Sequence, residues 1–190
     1  YRTNENILKE DCEALVNTVN CVGVMGKGLA LQFKQAFPEN YKAYKKLCDK
    51  EQIRPGKVFI FERGDLLGGP RYIINFPTKD HWKGKSELEY IKSGLDDLVE
   101  QIQLLNIRSI AIPPLGCGHG GLDWSDVEPL IMNAFQQIPE LEVKLFSPSH
   151  TPSKVEVIQT QKPKITLTRA LIVKAMTLYK ELDYELGNLE

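Results

Sequence analysis

At 190 residues, the chain is long enough for one domain with an appendage, since domains usually hold about 100–200 residues. Its 24 lysines and arginines nearly balance its 25 acidic residues, so the net charge does not indicate a nucleic-acid partner, although a local basic patch is compatible with it. No apolar run approaches the about 20 residues of a membrane-spanning helix, and the first residues lack the pattern of a signal peptide. We therefore expect a cytoplasmic protein without a membrane segment.

The first predicted elements are a strand, a glycine-rich loop and a helix. Residues 14–20 form a short β-branched run that ends in polar residues, which is typical of a buried strand. Three glycines follow within residues 23–28, and residues 29–37 then carry apolar side chains at helical spacing. In this order, the N-terminus of the helix can be directed at an anion.

The middle of the chain predicts a helix over residues 38–49 and strands over residues 58–61 and 72–76. Ser86 and Glu89 have the spacing of a capping box, which predicts the start of a helix that runs to about residue 105. One face of that helix is apolar: Ile91, Leu95, Leu98, Ile102 and Leu105.

The next predicted elements are a buried strand over residues 109–113, a second glycine-rich loop over residues 115–124, and a helix that Ser125 or Asp126 caps. A last strand is predicted over residues 142–146. Alternating strands and helices predict an α/β fold with a largely parallel sheet that helices cover on both faces.

The composition changes after residue 148, where serine, threonine and proline dominate residues 147–153. We assign residues 149–167 to a linker and residues 168–190 to a C-terminal helix. This tail is too small to hold a core of its own. It either packs on the first domain or begins a domain that continues further.

The four cysteines are scattered through the chain, at Cys12, Cys21, Cys48 and Cys117. They form no C-x-x-C pair and no cluster with histidine, so their spacing indicates neither a zinc site nor a disulfide framework. We expect reduced thiols and no bound metal.

The two glycine-rich loops follow two strands of one predicted parallel sheet. Ligands of such sheets bind at the carboxyl ends of the strands, and facing loops of backbone N–H groups form a cradle for a diphosphate. The alternative is that each loop is only a tight turn. Neither loop has the P-loop pattern or the dinucleotide-binding G-x-G-x-x-G pattern, which argues against a nicotinamide-dependent enzyme.

Three motifs together resemble the macrodomain family. Residues 16–30 are similar to its N-A-A-N and glycine-loop signature, and residues 113–124 are similar to its second, phosphate-holding loop. Residues 75–79, followed by His81 and Trp82, resemble the DNA ADP-ribosyl glycohydrolase branch of the family.

This resemblance implies a macrodomain over residues 1–148, a three-layer α/β sandwich with a mixed, mostly parallel sheet. It also implies a hydrolase that removes ADP-ribose from thymidine in single-stranded DNA, without a cofactor and with ADP-ribose as ligand or product. Members of that branch are antitoxins of a DNA-modifying ADP-ribosyltransferase toxin. The tail at residues 168–190 is then a candidate start of a toxin-binding region.

The resemblance also implies the residues that bind ADP-ribose. Asn6 stands where macrodomains usually have the aspartate that contacts adenine, and Asn20 stands where an asparagine holds the distal ribose. For Asn17 the alternative role is to brace the strand end, and for Phe146 it is a place in the core. The implied contacts are Asn6, Ile7, Asn17, Asn20, Gly26, Gly28, Leu29, Gly116, Cys117, Gly118, His119, Gly120, Gly121, Leu122 and Phe146.

Lys79 is the catalytic residue that the resemblance implies, because a lysine here reacts at the anomeric carbon of the distal ribose. A primary amine can form a Schiff base with an opened sugar, but it must first lose its proton. Burial or a neighbouring cation, Lys83 or Lys85, would have to lower its pKa. The aspartate that accompanies this lysine in protein-directed relatives is missing, and His119 is the candidate acid or base in its place.

A basic loop with an aromatic residue follows Lys79, and its residues are candidate DNA contacts: His81, Trp82, Lys83 and Lys85. Such a loop suits a single-stranded backbone and a stacked base. The alternative is a charged surface loop with Trp82 packed on the domain. Two other functions also stay open: an ADP-ribose reader without catalysis, and a hydrolase for ADP-ribosylated protein or O-acetyl-ADP-ribose.

Overall fold

The computed structural model describes residues 6–64 and 68–148. After a short 3₁₀ helix at Ile7–Lys9, strands and helices alternate along most of this part of the chain. In chain order they are β1 (Ala14–Val19), α1 (Gly28–Ala36), α2 (Pro38–Cys48), β2 (Phe59–Glu62), β3 (Tyr72–Pro77), α3 (Leu88–Leu105), β4 (Ser109–Ile112), α4 (Trp124–Phe135) and β5 (Glu142–Leu145).

The strands form one five-stranded sheet in the order β2-β3-β1-β4-β5. β1 is parallel to both of its neighbours and β4 is parallel to β5, whereas β2 is antiparallel to β3 at one edge. The mixed, mostly parallel sheet is therefore confirmed.

Helices cover both faces of this sheet. Ala14 and Val16 of β1 belong to an apolar cluster with α3 and α4, whereas Leu15 packs in a cluster with Phe33 of α1. Tyr44 of α2 packs with Val19 on the face of β1 that also carries Leu15. Because successive side chains of a strand point to opposite faces, the chain has three layers, as the resemblance implied.

The predicted apolar face of α3 lies in the core. Four of its residues are at most 2% exposed: Ile91, Leu95, Leu98 and Ile102. Burial of each such side chain contributes about 1.5–3 kcal/mol. On the same helix, Gly94 lies so close to the ring of Phe76 in β3 that a Cβ atom would overlap it. This contact brings α3 close to β3, the strand that ends two residues before Lys79.

The prediction of a capping box at Ser86 and Glu89 is wrong. Helix α3 begins at Leu88, and Glu87, the residue before it, makes no side-chain capping bond. Ser86 packs under the second glycine-rich loop instead, and its N–H donates to the Gly120 carbonyl at 3.0 Å. A contact distant in sequence therefore prevails over the local cap.

The predicted cap of α4 is also wrong by two or three residues. The Asp123 carboxylate accepts hydrogen bonds from the N–H of Ser125 at 2.9 Å and from its hydroxyl at 2.8 Å. These bonds lower the pKa of Asp123 and start the helix at Trp124. Ser125 and Asp126 consequently lie inside the first turn.

The predicted linker at residues 149–167 and helix at residues 168–190 lie outside the described residues and stay predictions.

Candidate active site

Two loops leave the sheet side by side at the carboxyl ends of β1 and β3. The N–H of Thr78 donates to the Val19 carbonyl at 3.0 Å, and that of Cys21 donates to the Asp80 carbonyl at 2.9 Å. The parallel pairing thus continues beyond the strands, as far as Cys21 after β1 and Asp80 after β3. It places the first glycine loop (residues 21–28) next to the segment that carries Lys79.

Asn20 shapes the first glycine loop. Its Oδ1 accepts hydrogen bonds from the N–H groups of Val22 (3.0 Å) and Val24 (3.2 Å), and its Nδ2 donates to the Val24 carbonyl at 2.6 Å. Its own carbonyl accepts from the Tyr44 hydroxyl of α2 at 2.6 Å. The side chain therefore fixes the loop, while its predicted contact with ribose stays a prediction.

Helix α1 begins at the end of this loop with Gly28, whose φ is +56°. Lys27, the residue before it, makes no side-chain capping bond, and the first turn contains no acidic residue. The N–H groups of a first turn have no acceptor within the helix and carry partial positive charge. Gly26 is exposed and Leu29 is half-buried in the same stretch, so this helix end is suited to an anion.

The second glycine loop (residues 115–122) closes on itself. The N–H of Leu122 donates to the Gly116 carbonyl at 3.1 Å, and that of Gly121 donates to the Gly118 carbonyl at 3.2 Å. Gly116 and Gly121 have φ of +72° and +79°, a region that favours glycine. At Gly120 a Cβ would overlap the Gly116 carbonyl oxygen. Only glycine fits this turn.

The remaining groups of this loop are available as donors. Among the described residues, the N–H groups of Gly118, His119 and Gly120 have no hydrogen-bond acceptor. The two loops face each other, because the position of a Gly28 Cβ lies 3.9 Å from Cε1 of His119.

Burial raises the pKa of Cys117 to about 11, so its thiol stays protonated and unreactive.

Lys79 is the second residue after β3, and its side chain reaches the second glycine loop. Its Nζ donates a hydrogen bond to the backbone carbonyl of His119. Burial of the half-exposed side chain lowers the pKa of the amine. Burial accounts for this shift, and neither Lys83 nor Lys85 contributes to it.

Asn17 belongs to a buried network behind the loops. Its Nδ2 donates to Oδ1 of Asn75 at 3.2 Å, and Asn75 donates in turn to Oδ1 of Asn40 at 2.7 Å. All three side chains are 0% exposed. This geometry favours the bracing role for Asn17 over contact with a ligand. Sequence reasoning missed Asn40 and Asn75, although a polar residue inside an otherwise apolar strand was a signal for Asn75.

Two of the residues predicted at the adenine end, Asn6 and Ile7, lie near the start of the chain, and the third, Phe146, follows β5. Asn6 is exposed, and its Oδ1 accepts from the N–H of Leu8 at 3.0 Å. Ile7 and Phe146 are 4% and 7% exposed and share one apolar cluster. Phe146 is therefore a core residue that lies close to the predicted adenine contacts.

The Trp82 loop (residues 79–86) presents its aromatic residue to solvent. Trp82 is 48% exposed. The centre of its ring lies 5.7 Å from that of the His81 ring and 5.0 Å from Nζ of Lys83. Lys85 is exposed as well. This arrangement favours a basic, aromatic surface over a Trp82 packed on the domain.

Within residues 6–64 and 68–148, no group of three or more His, Cys, Asp or Glu side chains is arranged to hold a metal ion. No helix in this part of the chain has the length and apolarity needed to cross a membrane.

The fold and the facing glycine loops define a macrodomain. The family model for the Macro domain matches residues 16–131, and the chain belongs to this family. Within it, the chain belongs to the branch of the DNA ADP-ribosyl glycohydrolases, which are called DarG. It is 54% identical to the macrodomain of Mycobacterium tuberculosis DarG, with a TM-score of 0.75 over 77% of this chain and 95% of that one.

Curated relatives agree with this assignment. DNA ADP-ribosyl glycohydrolase of Thermus aquaticus is 50% identical over 186 residues, which are 97% of this chain and 51% of the relative. A DNA ADP-ribosyl transferase–DNA ADP-ribosyl glycohydrolase fusion protein of Thermosipho africanus is 37% identical over 72% of this chain and 38% of its own length. The chain thus spans about half the length of the first of these relatives.

Proposed function

We propose that this chain hydrolyses the N-glycosidic bond between ADP-ribose and thymidine in single-stranded DNA. The observation that carries the proposal is the position of Lys79, whose amine contacts the second glycine loop and has a lowered pKa. The Thermus aquaticus relative that is named DNA ADP-ribosyl glycohydrolase supports the same reaction for this chain.

The diphosphate of ADP-ribose would lie between the two glycine loops. The N–H groups of Gly118, His119 and Gly120 donate from one side, and the uncapped first turn of α1 donates from the other. Adenine would lie towards Asn6 and Ile7, and the distal ribose towards Asn20. Binding energy gained at the diphosphate, away from the reacting carbon, then holds the sugar in place for reaction.

The reaction uses the amine of Lys79 as nucleophile. The neutral Nζ attacks the anomeric carbon, and the carbon–nitrogen bond breaks with its electron pair going to the thymine base, which takes up a proton. The adduct opens to a Schiff base, and water then hydrolyses it to release ADP-ribose and restore the amine. We assign the proton transfer to His119, whose imidazole lies beside Gly28 at the gap between the loops.

The Trp82 loop would hold the DNA. An exposed tryptophan offers a face on which an unpaired base stacks, and Lys83 and Lys85 offer charge to the backbone. His81 extends the aromatic surface at 5.7 Å from Trp82. A loop of this kind next to Lys79 favours a single-stranded or extruded base as the substrate.

The proposed partner is a DNA ADP-ribosyltransferase toxin whose product this chain removes. The name of the Thermosipho africanus fusion protein joins a transferase and a glycohydrolase, which supports such a pairing. Contact with the toxin would involve a separate toxin-binding region, of which residues 168–190 are the candidate start. We place the protein in the cytoplasm, where such DNA is the substrate.

The test is to incubate the chain with a single-stranded oligonucleotide that carries ADP-ribosylated thymidine. ADP-ribosylated protein and O-acetyl-ADP-ribose serve as parallel substrates. We expect the unmodified oligonucleotide and ADP-ribose as products. Binding of ADP-ribose without any release would make the chain a reader, and release only from the other two substrates would make it a different macrodomain hydrolase. Either result contradicts the proposal.

A further inference from the structure

Both ends of the Trp82 loop hold the second glycine loop. Lys79 Nζ donates to the His119 carbonyl, and the Ser86 N–H donates to the Gly120 carbonyl at 3.0 Å. In a planar trans peptide the N–H points away from the carbonyl. Fixing the His119 carbonyl therefore directs the N–H of Gly120 to the opposite side. The Trp82 loop thus sets the direction of a donor proposed for the diphosphate.

The side chain of Ser86 packs beneath the second glycine loop, against Gly116 and Gly120. The residue is 6% exposed. Its Oγ lies 3.2 Å from the position of a Gly116 Cβ and still closer to that of a Gly120 Cβ. Among the described residues this hydroxyl has no hydrogen-bond partner.

A buried hydroxyl without a partner destabilises a fold and calls for an explanation. The second glycine loop packs against Ser86. The Gly116 carbonyl oxygen there lies, like Ser86 Oγ, close to the position of a Gly120 Cβ. It accepts from the N–H of Leu122 at 3.1 Å, and its second lone pair can accept from the Ser86 hydroxyl. A small rotation of this loop would give the hydroxyl a partner.

We propose that Ser86 is a positioning residue of the ADP-ribose site, and that its hydroxyl gains a hydrogen bond to the second glycine loop when a diphosphate binds there. The inference rests on the proposed function in one respect, the place of the diphosphate. A bond that exists only in the bound state strengthens binding without stabilising the unbound fold. Through Ser86, binding of the diphosphate also acts on the end of the loop that carries Trp82.

The test compares Ser86→Ala with Ser93→Ala as a matched control. The Ser93 hydroxyl lies on α3 and already donates to the Glu89 carbonyl at 2.7 Å. Calorimetric titration gives the Kd for ADP-ribose, and thermal unfolding without ligand gives the Tm. For Ser86→Ala we expect a Tm at or above that of the wild type and a Kd about tenfold higher, which equals about 1.4 kcal/mol. For Ser93→Ala we expect an unchanged Kd.

A second variant grades the strength of the hydrogen bond. Ser86→Cys replaces the hydroxyl by a thiol, which is a weaker donor, so its Kd should lie between those of the wild type and Ser86→Ala. A lower Tm or failure to fold in Ser86→Ala overturns the inference, because the hydroxyl would then stabilise the unbound fold. An unchanged Kd also overturns it. If the wild type itself binds no ADP-ribose, the proposed function fails first.

Discussion

The position of a Gly28 Cβ lies 3.9 Å from Cε1 of His119, although the two residues follow different strands. The first turn of α1 and the second glycine loop are therefore opposite walls of one narrow gap. The donors of both walls have no side-chain cap or backbone acceptor among the described residues. This gap is where we place the diphosphate.

Gly28→Ala tests that placement. The φ of +56° costs an alanine about 1–2 kcal/mol, and the new methyl group projects towards His119. We expect a modest loss of Tm and an ADP-ribose affinity at least about tenfold lower, which is about 1.4 kcal/mol. Calorimetric titration measures the affinity. Gly68→Ala, in the loop between β2 and β3, is the control, since its φ is +88° and no described atom lies within 4 Å of its Cβ position; equal affinity loss in both variants would contradict the placement.

The rate should depend on pH through Lys79. Burial lowers the pKa of this amine below the ordinary 10.5, and only the neutral amine attacks. We therefore expect kcat/KM to rise with pH and to level off below the pH at which an ordinary lysine titrates. ADP-ribose binding over the same pH range separates chemistry from binding. A rate that is independent of pH on the acid side would contradict this role.

Trp82→Ala should weaken the contact with DNA alone. Stacking of a base on an aromatic side chain contributes about 1–3 kcal/mol, and Trp82 is 48% exposed and belongs to none of the apolar clusters of the described residues. We expect a higher KM for the ADP-ribosylated oligonucleotide and an unchanged Kd for free ADP-ribose. Leu104→Ala removes another exposed apolar side chain, 74% exposed on α3, and should change neither value. An unchanged KM in Trp82→Ala would exclude stacking.

Gly94→Ala should destabilise the domain although alanine favours helices. The gain in helix propensity is about 1 kcal/mol, but the new Cβ overlaps the ring of Phe76, which is 0% exposed. Overpacking of a core costs about 1–3 kcal/mol, and so deep an overlap belongs at the upper end. We expect a net loss of about 1–2 kcal/mol in urea unfolding. Lys92→Ala on the exposed side of α3 is the control, and a gain in stability at Gly94 would refute the packing argument.

Local patterns were enough to predict most of the fold. The apolar face of α3 follows from a period that Ile91, Leu95 and Leu98 repeat along the sequence, and the alternation of strands and helices predicted the parallel sheet. The assignment of both glycine loops to one binding site follows from the resemblance, and in the structure the two loops lie next to each other. These features depend on residues that are close in sequence or on the order of elements.

Contacts between distant segments were not predictable in this way. The bond from Asn17 to Asn75 depends on the register of two parallel strands, which the sequence does not specify. Ser86 has the pattern of a helix cap, yet its N–H bonds to Gly120, because the second glycine loop packs against it. The sequence left open whether burial or a neighbouring cation lowers the pKa of Lys79. The cause is burial, which depends on how distant segments pack around the side chain.

The most direct test of the account is the turnover of the ADP-ribosylated oligonucleotide by Lys79→Arg beside Lys79→Ala. Arginine keeps the charge and can still donate to the His119 carbonyl, but it does not lose its proton in proteins. We predict that both variants bind ADP-ribose and that neither releases the unmodified strand. Release by Lys79→Arg at a rate near that of the wild type would show that Lys79 acts by charge or position, and would contradict its role as the nucleophile.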